Sequence, residues 1–153
     1  DVAARVLTAA DPGLTPPQSV RGTGTEPRFV TAPTSESLAK VVAGEVDAEA
    51  AAVDGGTVAV VCPDSWAERL AGQLADAGLE FGLPDRDGLE QTVTLVPVGV
   101  VKGLEFDSVV VVEPAAIAAE GPQGLRALYV ALTRATRRLT IVHADELPGS
   151  LRR

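Results

Sequence analysis

Apolar residues recur along this chain at two spacings that alternate from segment to segment. Val2, Val6 and Leu7 share one side of a short helix over Val2–Ala10, which Asp11-Pro12-Gly13 stops. Residues 11–27 hold Pro12, Pro16, Pro17 and Pro27 with three glycines, and read as a loop long enough to be functional or packed. Arg28 to Thr31 is a short strand. Thr34 or Ser35 can cap a helix running to about Ala52, with Leu38, Val41, Val42 and Val46 at helical spacing. Asp54-Gly55-Gly56 is a turn, and Thr57 to Cys62 is a β-branched apolar run suited to a strand buried on both faces. After Pro63-Asp64-Ser65, Trp66, Leu70 and Leu74 mark a helix that ends at Gly78. Further strands are expected over Gln91–Pro97, Ser108–Glu113 and Arg138–His143, with a helix over Gln123–Ala135.

Five strands separated mostly by helices imply an α/β domain with a largely parallel sheet and helices on both faces. Ligands of such sheets sit beyond the carboxyl ends of strands, which selects Pro97–Asp107 and the loop around residues 63–65.

Composition narrows the chemistry. The 153 residues fit one domain, and a chain of this length buries roughly two-thirds of its unfolded surface without staples. One cysteine, Cys62, makes no internal disulfide, and with the single His143 it cannot form an ordinary zinc site. No apolar run reaches the length of about 18 residues of a membrane span, and the start lacks a signal peptide, so a cytoplasmic setting is expected. The chain contains no methionine and reads as a piece of a longer protein.

Net charge is −8, unlike a free-standing non-specific nucleic-acid binder. It is unevenly spread: residues 1–120 carry 7 basic and 19 acidic side chains, residues 121–153 carry 6 and 2. The six basic residues of that tail are arginines, Arg126, Arg134, Arg137, Arg138, Arg152 and Arg153. They fit either a local anion site or a solvated surface. The acids Glu36, Glu45, Asp47 and Glu49 read as a solvated helix face. No Walker A pattern is present, since neither Lys40 nor Lys102 has its spacing. Gly22-Thr23-Gly24-Thr25 is glycine-rich without a lysine and reads as loop.

Two stretches carry the chemistry: Val101-Lys102-Gly103-Leu104-Glu105-Phe106-Asp107, and Leu128-Tyr129-Val130-Ala131-Leu132-Thr133-Arg134-Ala135. Gly103 lets backbone pass close to a ligand or a neighbouring chain. Glu105 is either a solvated loop acid or an acceptor for hydroxyls. Arg134 either serves a helix C-terminus or contacts an anion. Arg137 and Arg138 serve the helix end or the surface, and Tyr129 and Thr133 pack and orient the helix.

In order and spacing the two stretches resemble motifs V and VI of UvrD/Rep-type superfamily 1 helicases, most specifically over residues 91–143. The resemblance implies a RecA-like (P-loop NTPase-like) three-layer sandwich forming the C-terminal motor lobe over residues 1–153. It gives Glu105 to the ribose of ATP and Arg134 to the γ-phosphate as the catalytic arginine. Gly103 lies at the ATP site, and Lys102 is a contact for phosphate of nucleotide or nucleic acid. A first lobe would supply Walker A, the Mg²⁺-binding acids and the adenine contacts, so ATP and Mg²⁺ belong to the full-length protein and this fragment alone is expected to be inactive. No metal site is expected within the chain itself.

One departure changes the expected partner. Family members carry a Thr-x-His element before Lys-Gly-Leu-Glu that engages single-stranded DNA, whereas this chain has Pro97-Val98-Gly99, with no side-chain donor. That points toward the HelD-like branch, whose members associate with RNA polymerase. The Pro16–Pro27 stretch also resembles the segment after motif IV in that branch. Three readings stand: a DNA-translocating helicase lobe, a HelD-like lobe partnered by RNA polymerase, and a degenerate α/β binding module.

Overall fold

Successive side chains of a strand point to opposite faces, so a strand apolar at every position needs cover on both sides. The computed structural model describes residues 2–10, 13, 26–84 and 92–151, and it meets that need with helices above and below one sheet. The elements run α1 (Val2–Ala10), β1 (Arg28–Thr31), α2 (Leu38–Ala52), β2 (Val58–Cys62), α3 (Ala67–Asp76), β3 (Val93–Pro97), β4 (Phe106–Val112), α4 (Pro114–Ala118), α5 (Gly124–Leu132) and β5 (Ala135–His143). Single 3₁₀ turns occupy 64–66, 98–100 and 149–151. The expected loop over 11–27 lies almost wholly outside the described residues, as do Arg152 and Arg153.

The sheet order is β1-β5-β4-β2-β3 and every ladder is parallel. Beyond β3, Gly82 pairs with Thr94 as a one-residue parallel bridge. Ala59 and Val61 of β2 pack with Val109 and Val111 of β4 against α1, α4 and α5. Val58, Val60 and Cys62 pack with Val110 and Val112 against α2 and α3. This is the three-layer α/β sandwich expected, with its core split by the sheet.

The boundaries of α2, β4, α5 and β5 differ from the pattern reading. The Thr34 hydroxyl accepts the Ser37 N–H, and the Ser37 hydroxyl donates to the Thr34 carbonyl, so these residues close a separate turn. The α-helix then starts at Leu38, with Ser37 rather than Thr34 or Ser35 at its N-cap. β4 begins at Phe106 rather than Ser108 and ends before Glu113, whose φ of 51° turns the chain into α4, a helix the periodicity missed. α5 stops at Leu132, and β5 starts at Ala135.

Gly124 opens α5 against the end of α4, where a Cβ would overlap the Ala118 carbonyl. Gly124→Ala is expected to destabilise the chain by about 1–3 kcal/mol through overpacking. That cost outweighs alanine's better helix propensity. It would be read as a lower urea midpoint at unchanged slope, and an unchanged midpoint would contradict the packing described here.

Candidate functional site

Arg134 lies between α5 and β5, in the bend after the helix, rather than in a helical turn as expected from the sequence. Thr133 holds it: the Thr133 hydroxyl donates to the Val130 carbonyl at 2.9 Å and accepts from Arg134 Nη2 at 3.1 Å. Arg134 Nε is buried and has no hydrogen-bond partner. A buried donor left unpaired carries a desolvation cost, and native chains keep few of them. The guanidinium is thus a held cation with an unused donor.

The Arg134 carbonyl accepts the Phe106 N–H at 3.0 Å, so the two motif-bearing stretches are joined backbone to backbone. Phe106 faces Ala135 and Ser108 faces Arg138, which leaves an extra residue on β5 between them. Such a bulge bends a strand and re-aims its side chains next to functional sites. Thr136 Oγ1 fastens it to the Phe106 carbonyl at 3.2 Å.

Phe106 and Ala135 are the first residues of parallel strands, so Glu105 and Arg134 sit at the amino edge of the sheet. This corrects the expectation that the whole of Pro97–Asp107 borders the carboxyl edge. Only its start, Pro97 to Val100, lies there. The chain returns to the amino edge with Val98 and Val101 buried on the α5 face.

Lys102, Gly103 and Glu105 are exposed on this return, and Lys102 and Glu105 pair with no described residue. Gly103 has φ of +82°, and a Cβ there would meet nothing. Glycine is needed there for the left-handed turn rather than for a close approach within this chain. Asp107 is internal hardware: its carboxylate accepts the Thr57 N–H at 2.8 Å, and its own N–H donates to Thr57 Oγ1 at 3.1 Å.

Two sequence readings fail nearby. Glu49 is 1% exposed, not part of a solvated face. It accepts from Ser108 Oγ at 2.7 Å and from Arg138 Nε at 3.0 Å, with Arg28 at 4.0 Å. Arg138 is therefore not a helix-end or surface residue but the β5 partner of a buried acid. Burial pushes the Glu49 carboxyl up, but the bonds from Arg138 and Ser108 outweigh it and hold the group below its usual range. The signal was present in the chain, since Glu49 continues the apolar stripe of Leu38, Val42 and Val46.

At the carboxyl edge, Glu120 accepts the N–H groups of Asp64 and Ser65, and Asp64 Oδ1 accepts the Gly99 N–H at 2.8 Å. Glu113 is buried and accepts from the Ala144 and Asp145 amides; burial pushes its carboxyl up against their pull. Burial, with Asp64 and Glu120, pushes the Cys62 thiol up to about 12, which makes it a poor nucleophile at neutral pH. His143 contacts the Asp145 carbonyl and Thr31 Oγ1. Among the described residues no group of three or more His, Cys, Asp or Glu could hold a metal ion, and no helix is long and apolar enough to cross a membrane.

The amino edge thus offers a fixed guanidinium with a spare donor and the exposed Glu105 carboxylate, and the exposed Lys102 lies on the return that leads there. That set suits a ligand carrying both phosphate and hydroxyl groups.

Among curated proteins nothing matches the chain. Among solved structures it is similar to the C-terminal domain of a possible DNA helicase from Lactobacillus plantarum WCFS1. There the TM-score is 0.74 and the identity 22%, covering 98% of this chain and 88% of the other. It also resembles the SWI2/SNF2 ATPase core of Sulfolobus solfataricus, solved with double-stranded DNA. That match has a TM-score of 0.53 and 16% identity, covering 79% of this chain and 28% of the other. Residues 92–142, which span β3 to β5 and hold both motif-like stretches, match the family model of the UvrD-like helicase C-terminal domain.

Proposed function

We propose that this chain is the C-terminal motor lobe of an ATP-driven, helicase-like enzyme, with Arg134 directed at the γ-phosphate of ATP bound between two lobes. The observation that carries the reading is the buried, unpartnered Arg134 Nε, on a guanidinium already oriented by Thr133. The family match over 92–142 supports it.

In this reading Glu105 accepts from the ribose hydroxyls and Gly103 shapes the turn that presents it. Lys102 adds positive charge for a phosphate of nucleotide or nucleic acid. Mg²⁺ supplies charge neutralisation at the phosphates. No acid cluster among the described residues is set to hold it, so its ligands are assigned to the first lobe. Lobe closure brings Arg134 to the phosphate and opening withdraws it, which ties motion to the nucleotide cycle.

DNA is the first partner to consider, since the Sulfolobus core was solved with it. A second reading, a HelD-like ATPase that remodels RNA polymerase, is favoured by Pro97-Val98-Gly99. These side chains donate nothing, and the Gly99 N–H is committed to Asp64. DNA-stimulated ATPase activity without polymerase co-purification selects the first reading; the reverse pattern selects the second.

Calorimetric titration of the 153-residue chain with MgATP should show no tight stoichiometric binding, whereas the two-lobed protein should bind. Tight binding by this chain alone would contradict the account.

A further inference from the structure

Close to Glu105, at the start of β4, a side chain ties the amino edge to a part of the chain remote from both motif-like stretches. The Asp107 carboxylate accepts the Thr57 N–H at 2.8 Å and the Thr57 hydroxyl at 3.3 Å, and the Asp107 N–H donates to Thr57 Oγ1 at 3.1 Å. The Ser108 N–H adds a bond to the Thr57 carbonyl at 2.9 Å. The Thr57 hydroxyl is thus donor and acceptor at once within a closed clasp, a double role open to Ser and Thr side chains.

A tight turn delivers Thr57 to this clasp. Asp54 and Gly55 have φ of 31° and 84°, and the Gly56 N–H closes the turn on the Val53 carbonyl at 3.0 Å. A Cβ at residue 56 would lie 2.5 Å from Asp107 Oδ2, so the carboxylate reaches Thr57 only past a glycine. Thr57 lies outside residues 92–142, the stretch that matches the family model.

Glu105 carries an exposed side chain on a pinned backbone. Before it, the Leu104 N–H donates to the Val101 carbonyl at 3.1 Å. After it, the buried Phe106 donates its N–H to the Arg134 carbonyl at 3.0 Å. The clasp then fixes residue 107 against the start of β2, so the path of the chain through Glu105 is set from β2 as well as from β5.

We infer that Thr57 is a positioning residue for the sugar of the nucleotide, acting through Asp107 to hold Glu105 where it accepts the ribose hydroxyls; this rests on the reading of Glu105 as the ribose acceptor. Hydrogen bonds weaken steeply as distance and angle depart from their optimum. Loosening the clasp should therefore weaken sugar binding and leave the phosphate end in place, because Arg134 is oriented separately by Thr133.

Steady-state ATPase assays of the two-lobed protein compare ATP with 2′,3′-dideoxy-ATP, which lacks both hydroxyls. Thr57→Val removes the hydroxyl at nearly constant shape and keeps the backbone bonds of Thr57; Thr57→Ser keeps the hydroxyl. Thr57→Val should raise KM for ATP by about tenfold, the scale of a hydrogen bond to a charged acceptor. Its kcat, and its KM for the dideoxy nucleotide, should stay as in the wild type, and Thr57→Ser should keep the wild-type preference for ATP. Glu105→Ala should lose that preference as well. If Glu105→Ala loses it and Thr57→Val keeps it, the positioning role fails and the ribose reading stands. If the wild type shows no preference, or both variants keep it, the ribose reading fails too. An equal rise in KM for both nucleotides in Thr57→Val would make the clasp a support of the fold alone and overturn the inference.

Discussion

Arg134→Ala in the two-lobed protein is expected to lower ATP turnover by about a thousandfold or more, the usual contribution of an arginine at a transferring phosphoryl group. Stability should move little, or rise. Among the described residues the side chain makes one hydrogen bond, to Thr133, and leaves Nε buried without a partner. Removing that donor removes its desolvation cost. A residue held at a structural disadvantage and needed for turnover gives this opposed pair of effects. A structural arginine would instead lose stability with little loss of rate. Steady-state ATPase assays and urea unfolding of the same variant separate the two cases. Near-normal turnover would reject Arg134 as the catalytic arginine.

Arg138→Ala should do the reverse. It leaves Glu49, 1% exposed, with Ser108 and a distant Arg28. Breaking a buried pair from one side typically costs about 3–5 kcal/mol, because the remaining charge is uncompensated. The pH signature is specific. The folded state holds Glu49 below its usual value of 4.5, so its ionised form stabilises the fold above that pH. That stability is lost as pH falls from about 4.5 downward through the lower folded value. Glu113 is shifted upward and contributes in the opposite sense, so the wild-type curve mixes the two. The difference between wild type and Arg138→Ala removes Glu113: the variant's deficit should be largest at neutral pH and shrink on acidification. A deficit independent of pH would mean that Arg138 acts by packing alone.

The strands were legible because β-branched runs such as Val58–Cys62 have one stable solution, burial on both faces. The motif-like stretches were legible as text, and the fold does join them, through the Phe106 N–H on the Arg134 carbonyl. Their edge was not legible. The sequence does not show that residues 98–105 run back across a face with Val98 and Val101 inward, carrying Glu105 to the amino ends. The Arg134 environment was misplaced for a local reason: Thr133 to Arg137 contains nothing that forbids helix, and the chain leaves α5 only because β5 pairs with β4. α4 escaped notice because five residues, Pro114–Ala118, give too little period to read. Glu49 was misread by charge alone, although its position on the stripe was the better guide.

Two ligands of the two-lobed protein distinguish a γ-phosphate arginine from any other: MgADP, and MgADP with aluminium fluoride, which mimics a phosphoryl group in transfer. The account predicts that the wild-type protein binds the mimic more tightly than MgADP. It also predicts that Arg134→Ala abolishes that preference while leaving MgADP affinity unchanged. A variant that keeps the preference for the mimic would contradict the placement of Arg134 on the γ-phosphate.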